Sequence, residues 1–283
     1  MRDARRVVGG LFLVTWLLGA SWALATPVTG APDEPAHIAR AASVVRGQIV
    51  PSATVVDSEG VLRDSARVPE TLAFPSPPCF AHTGSLSCLE PVTGRGDVLV
   101  EVPSAAGRYD PAYYAFVGVP TLVRPGEATV YVMRLLTAGL VACLLTLGVV
   151  ACCELQEPRW AIAGLALAVT PMTLFLAGSV NPSAVETAAA VALWATLLAW
   201  FRSPEPSLER SRAIRAVACA TALVVTRPIA PLFLAIAVAG SLLVAPRVRD
   251  VVSRRSLVRP AVVVACVTGL ALSWTVGVGG LAR

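Results

Sequence analysis

The feature that most constrains this chain is the run Val7–Ala25, which carries no charged side chain and follows Arg2, Arg5 and Arg6. A bilayer core of about 30 Å takes ~20 apolar residues as a helix, because a spanning segment must satisfy its own backbone polar groups. Similar runs recur at about Val130–Cys153, Trp160–Ala177, Ala184–Phe201 and Ala261–Gly280. Hydrophobic residues make up 55% of the chain and charged residues 14%, with a mean hydropathy of +0.70. Ordinary soluble domains do not reach this balance. The sequence specifies an all-α membrane protein that crosses the bilayer several times.

The first run resembles a signal peptide, and Ala23-Leu24-Ala25 mimics a cleavage site. It is longer than a usual signal core, and further spans follow, so it reads as a retained signal-anchor with a cytoplasmic N-terminus. All 23 basic residues are Arg. The net charge of +5 is segregated by topology and points to no nucleic-acid partner. The chain has no Gly-rich phosphate loop, zinc-type Cys/His spacing or Ser-hydrolase elbow.

Three regions follow: 1–25, the N-terminus and first helix; 26–129, a polar loop domain; and 130–283, the remaining helices. The loop holds seven arginines against eleven carboxylates, and a net-negative segment after a basic N-terminus belongs outside. Its frequent Pro and Gly predict short helices and turns with little sheet. Cys79 and Cys88 lie here, and outside the cytoplasm they can close a disulfide. Two unrelated thiols are the other reading. Cys143, Cys152, Cys153, Cys219 and Cys266 fall in or beside apolar runs and read as small packing residues.

Arg202–Arg215 and Pro246–Pro260 are rich in arginine and belong in the cytoplasm. Two passes must therefore lie between them, joined at Thr226-Arg227-Pro228. Ile214–Val225 reaches only about 18 Å at 1.5 Å per residue, which predicts a broken helix pair with Arg227 near or below the outer surface. The total is about seven transmembrane helices in the plasma membrane, with one large external loop domain between helices one and two.

Where the first helix leaves the membrane stands Pro32-Asp33-Glu34-Pro35-Ala36-His37-Ile38-Ala39-Arg40. If Pro35 opens a helix, Asp33 and Glu34 sit at its favourable N-terminus, and His37 and Arg40 share a face. Either this is a capped surface helix with solvated charges or it is a site. The predicted topology places the Asn181-Pro182 turn, Glu186 and Arg227 on the same side. Arg227 can hold a phosphate, and the carboxylates can act as general base or ligate a divalent cation. The plainer readings are a snorkelling arginine for Arg227, helix starts for Asn181 and Glu186, and a structural role for His37. Arg108–Phe116, with Tyr113, reads as an interfacial aromatic belt or as the wall of a lipid or sugar site.

The Pro-Asp-Glu-Pro-Ala-His-Ile-Ala-Arg segment, followed by Arg46-Gly47, resembles an uncharacterised family of bacterial polytopic membrane proteins. Asp110-Pro111-Ala112-Tyr113-Tyr114, Ser179-Val180-Asn181-Pro182 and Thr226-Arg227-Pro228 resemble its later signatures. That family in turn resembles the GT-C membrane glycosyltransferases, which draw sugars from polyprenyl-phosphate donors. The resemblance implies Asp33 as catalytic base, with Glu34 as its partner or a metal ligand. It implies His37, Arg40 and Arg227 for donor phosphate or acceptor positioning, and Tyr113 and Asn181 complete the expected substrate-binding set. The implied partners are membrane lipids, a polyprenyl-phosphate sugar and an envelope glycan or protein acceptor. Such enzymes carry further helices after the seventh, so a chain ending at Arg283 is expected to be a fragment, a truncated product or a shorter relative. The competing expectation is a non-enzymatic transporter subunit, flippase or envelope-assembly scaffold.

Overall fold

The computed structural model describes residues 2–51, 53–57, 60–75, 93–203, 205–246 and 248–279. In chain order the helices are α1 (Arg2–Ala25), α2 (Glu34–Val44), α3 (Pro111–Gly118), α4 (Pro120–Val123), α5 (Glu127–Cys153), α6 (Pro158–Ala168), α7 (Pro171–Ala177), α8 (Pro182–Arg202), α9 (Glu209–Val224), α10 (Ala230–Leu243), α11 (Val248–Val252) and α12 (Val258–Gly277). Between α2 and α3 lie β1 (Thr54–Val56), β2 (Leu62–Pro69) and β3 (Leu99–Ser104). Five of these helices begin on a proline, whose fixed φ and missing N–H suit the first helical position. Asp110 caps α3 by accepting from the Ala112 amide at 2.9 Å.

Four described helices are long and apolar enough to cross a membrane: Arg6–Ala25, Glu127–Cys153, Pro182–Arg202 and Arg255–Gly277. A fifth span arises if α6 and α7 count as one, although they bend by 66° at their junction. Four or five spans are supplied in this way, against about seven expected from sequence. The straight helix expected over Trp160–Ala177 is broken because Pro171 drives Thr170 out of helical geometry. The break expected around Thr226-Arg227-Pro228 is present between α9 and α10, and α10 is apolar but shorter than a full span.

The chain divides into two compact units. One comprises Gly19–Ala138, Phe175–Asn181 and the chain from Thr275 onward. It contains the loop domain, whose strands form an antiparallel sheet in the order β1-β2-β3, with Ala66 opposite Val102 and Asp64 opposite Ser104. The side chains of Asp64, Ala66, Val68, Val102 and Ser104 are buried, following the two-residue period of a strand. Every residue of α2 is buried, so the solvated surface helix is excluded. The Ser104 hydroxyl donates to the Ala36 carbonyl at 2.9 Å. On α3, Gly118 lets the backbones meet: a Cβ there would stand 2.4 Å from the Ala41 carbonyl oxygen. The same unit collects the C-terminal end of α1, the first turns of α5 and the end of α7. Gly19 there abuts Ala138 and Ala177, and Gly178 abuts Trp22 and Ala23.

The other unit comprises the chain up to Leu18, Gly139–Leu174 and Pro182–Trp274. In it α8 packs on α6, α9 and α10, and Gly240 on α10 admits the Trp194 ring. Arginines of α9 do not all reach solvent. Glu154 takes Arg212 Nε at 2.7 Å and Arg215 Nη2 at 2.9 Å, and both arginine side chains are buried. The five cysteines of the apolar segments are free thiols. Cys79 and Cys88 lie outside the described residues.

Candidate functional site

The site is built where the chain turns from α1 into α2. Two residues in this turn, Thr29 (φ 66°) and Asp33 (φ 60°), occupy the left-handed region without being glycine. Asp tolerates this conformation, but for β-branched Thr it is a true outlier. Such strain persists only where the surroundings over-determine it.

Glu34 supplies the determinant. Its carboxylate accepts from Arg134 Nε (2.8 Å) and Nη2 (2.6 Å), from the Thr29 amide (3.0 Å) and from the Val180 amide (2.9 Å). Arg134 spends its remaining donors on the carbonyls of Ala23, Thr26 and Pro27. Both side chains are wholly buried. Five guanidinium N–H bonds and four carboxylate acceptor sites are thereby used in full, the condition under which a buried ion pair holds geometry. The pair ties the end of α1, the turn, α2, α5 and the Ser179–Asn181 segment together. Sequence reasoning missed Arg134, although a lone arginine inside an apolar run is itself the signal.

Asp33, the adjacent residue, is exposed, and its side chain makes no capping bond. Its carbonyl accepts from the His37 amide at 3.2 Å. His37 is buried: its Nδ1 and the Tyr114 hydroxyl are 2.8 Å apart, and the rings of Tyr114 and Tyr109 lie within 6.0 Å. Arg40 is buried one turn further on. Its Nη2 donates to the Tyr109 carbonyl at 2.8 Å and its Nη1 to the Gln48 carbonyl at 3.3 Å. Its Nε has no hydrogen-bond partner among the described residues. Burial lowers the Arg40 guanidinium to about 10, against the pull of nearby Asp110 and Asp64.

Tyr113 places its hydroxyl 2.8 Å from Thr137 Oγ1 and meets the Asn181 backbone, and burial pushes its phenol above the usual range. Tyr113 and Tyr114 thus pack inside the unit, while Phe116 on the same helix is exposed. Gly47 at φ 83° ends the chain's exit from α2, and Arg46 braces it by donating to Ala42 O, Thr121 O and Thr121 Oγ1. One unit therefore brings together Asp33, Glu34, His37, Arg40, Tyr113 and Asn181.

Arg227 belongs to the other unit. It sits in the break between α9 and α10, with Nε 3.7 Å from Glu186 Oε2 and Nη2 donating to the Ser183 hydroxyl. Glu186 Oε1 is buried without a hydrogen-bond partner among the described residues.

Among the described residues no three His, Cys, Asp or Glu side chains converge as metal ligands. Glu34 does not fit a cation-binding role, since each of its oxygens already takes two N–H donors. Asp33 is the exposed carboxylate residue of this turn.

The chain belongs to the DUF2142 family of predicted membrane proteins, whose model matches residues 16–279. No curated protein matches the chain, and no solved structure does.

Proposed function

We propose that this family member is a GT-C-like glycosyltransferase of the plasma membrane, using a polyprenyl-phosphate sugar, with Asp33 as its general base. One observation carries the reading: an exposed carboxylate is held in left-handed backbone beside a carboxylate that is entirely consumed by structure. Two neighbouring acids of like type are thus given separate tasks by their environments. Asp33 takes the proton of an acceptor hydroxyl as its oxygen bonds to the anomeric carbon. The polyprenyl phosphate leaves with the electron pair of the broken sugar–phosphate bond. Glu34 and Arg134 act as positioning residues. His37, Arg40, Tyr113 and Asn181 form the packed floor under the turn.

The orientation in this reading has a cytoplasmic N-terminus, an external loop domain and seven passes, with α9 and α10 as a short broken pair. Charge supports it, because the arginine-rich segments Arg202–Arg215 and Pro246–Pro260 fall at the opposite parity from the net-negative loop. Helix ends support it too: α1, α7 and α12 finish, and α5 starts, within the unit that holds the loop domain.

The test is Asp33→Asn assayed in membranes with a polyprenyl-phosphate sugar. Asn accepts the left-handed backbone as readily as Asp, so insertion and protein level are expected to be unchanged while transfer is lost. Wild-type turnover by this variant would remove Asp33 from the chemistry. A non-enzymatic scaffold is the second reading, favoured by the internal use of Glu34, His37 and the Tyr113 hydroxyl. It requires that the Asp33→Asn chain complement a deletion fully. Removing Glu34 as well would not discriminate, since that loss disrupts the fold under either reading.

A further inference from the structure

Within the unit that holds α8, α9, α10 and α12 lies an apolar groove of about 940 Å³. Along α12 and the turn just before it, its wall is the stripe Leu257, Ala261, Ala265, Gly269 and Leu272, one face at helical spacing. That stripe runs about 22 Å at 1.5 Å per residue. Small residues recur on the facing wall, Ala235 and Ala239 of α10, so the groove is kept open along its length. Only one charged side chain lines it: Arg254, beside Trp200 and Val258 at the α11–α12 end.

Arg254 donates Nη1 to the Trp200 carbonyl at 3.0 Å, which fixes the guanidinium at the groove mouth. Among the described residues no carboxylate forms an ion pair with it. Arg255 and Arg259, exposed and close by in sequence, add positive charge to this end of the chain segment without lining the channel, whose wall is otherwise apolar except for Thr268. A long hydrocarbon chain matches the channel, and an anion matches its mouth. Basic clusters at a membrane surface select anionic lipid headgroups in the same way.

We infer that this groove is a binding site for one anionic phospholipid, its acyl chain between α10 and α12 and its phosphate at Arg254. Its lining includes neither Asp33 nor Arg227.

The experiment uses the full chain, purified in detergent, stripped of lipid and titrated with phosphatidylglycerol or phosphatidylcholine, with bound lipids counted by native mass spectrometry. Wild-type protein is expected to retain one phosphatidylglycerol in preference to phosphatidylcholine. Arg254→Gln is expected to lower phosphatidylglycerol retention about fivefold and to leave phosphatidylcholine unchanged. Ala265→Trp, which fills the channel at mid-length, is expected to abolish retention of both. Equal retention of the two lipids by wild-type protein overturns the inference, and so does unchanged phosphatidylglycerol binding by Arg254→Gln. Dimers that hold no lipid and are dispersed by Ala265→Trp overturn it in favour of a second copy in the groove. Should Ala265→Trp fail to insert, the wild-type lipid comparison and Arg254→Gln decide.

Discussion

Glu34→Gln is the perturbation that tests the architecture most directly. Four N–H donors converge on the Glu34 carboxylate, two on each oxygen. A glutamine keeps one acceptor oxygen and replaces the other with an NH₂ group. Whichever way the amide is turned, two donors on the replaced side meet a donor. The Arg134 charge, wholly buried, is left without its counter-ion. Breaking a buried pair from one side costs about 3–5 kcal/mol, a large part of the roughly 5–15 kcal/mol that holds a domain folded. For a chain of this size that corresponds to a fall in Tm of about 10 °C. The assay is thermal unfolding of the purified chain in detergent, beside Asp33→Asn prepared identically. Glu34→Gln should show the large fall and Asp33→Asn almost none. A Glu34→Gln transition within a degree or two of wild type would refute the assignment of Glu34 as the tie between α1, α2 and α5. A double variant, Glu34→Met with Arg134→Met, should recover only part of the loss. It removes the uncompensated charge but still leaves the Thr29 and Val180 amides and the carbonyls of Ala23, Thr26 and Pro27 without these partners.

Two further perturbations read the loop domain. Gly118→Ala places a methyl 2.4 Å from the Ala41 carbonyl oxygen, so α2 and α3 must separate. A loss of roughly 1–3 kcal/mol in unfolding stability is expected, and no loss would mean that the two helices do not pack this closely. Asp110→Asn keeps the cap on α3 and removes a carboxylate whose ionisation burial disfavours. A carboxyl raised in the folded state is most favourable when protonated, so its contribution is lost as pH rises through the folded value. Asp110→Asn should therefore be more stable than wild type at neutral pH, and the difference should close as pH falls below 3.8. Equal unfolding curves across that range would contradict the direction.

Much of the helical plan was legible because its signals are local. Pro35, Pro111 and Pro182 each open a helix, as the ring's fixed φ demands. The break at Thr226-Arg227-Pro228 was inferred from charge parity and matches the gap between α9 and α10. The kink at Thr170-Pro171 lies inside one apolar run, where hydropathy alone does not mark it although Pro171 does. The expectation of little sheet in the loop domain matches its one small three-stranded sheet, whose pairing is not legible locally because its registers join residues as distant as Pro69 and Leu99. The alternative of a capped surface helix with solvated charges at Pro32–Arg40 fails, because α2 is buried all round.

By itself the sequence determined that this chain carries several membrane-length apolar helices and where its proline-marked helices begin. Those properties follow from apolar run length and proline chemistry, which act within a few residues. Only the tertiary structure decided what Asp33 and Glu34 each do. Neighbours in sequence with the same functional group, they differ because one meets an arginine 100 positions away and an amide 146 positions away, while the other meets solvent. A carboxylate's role is set by which donors surround it, and those donors converge only when distant segments pack.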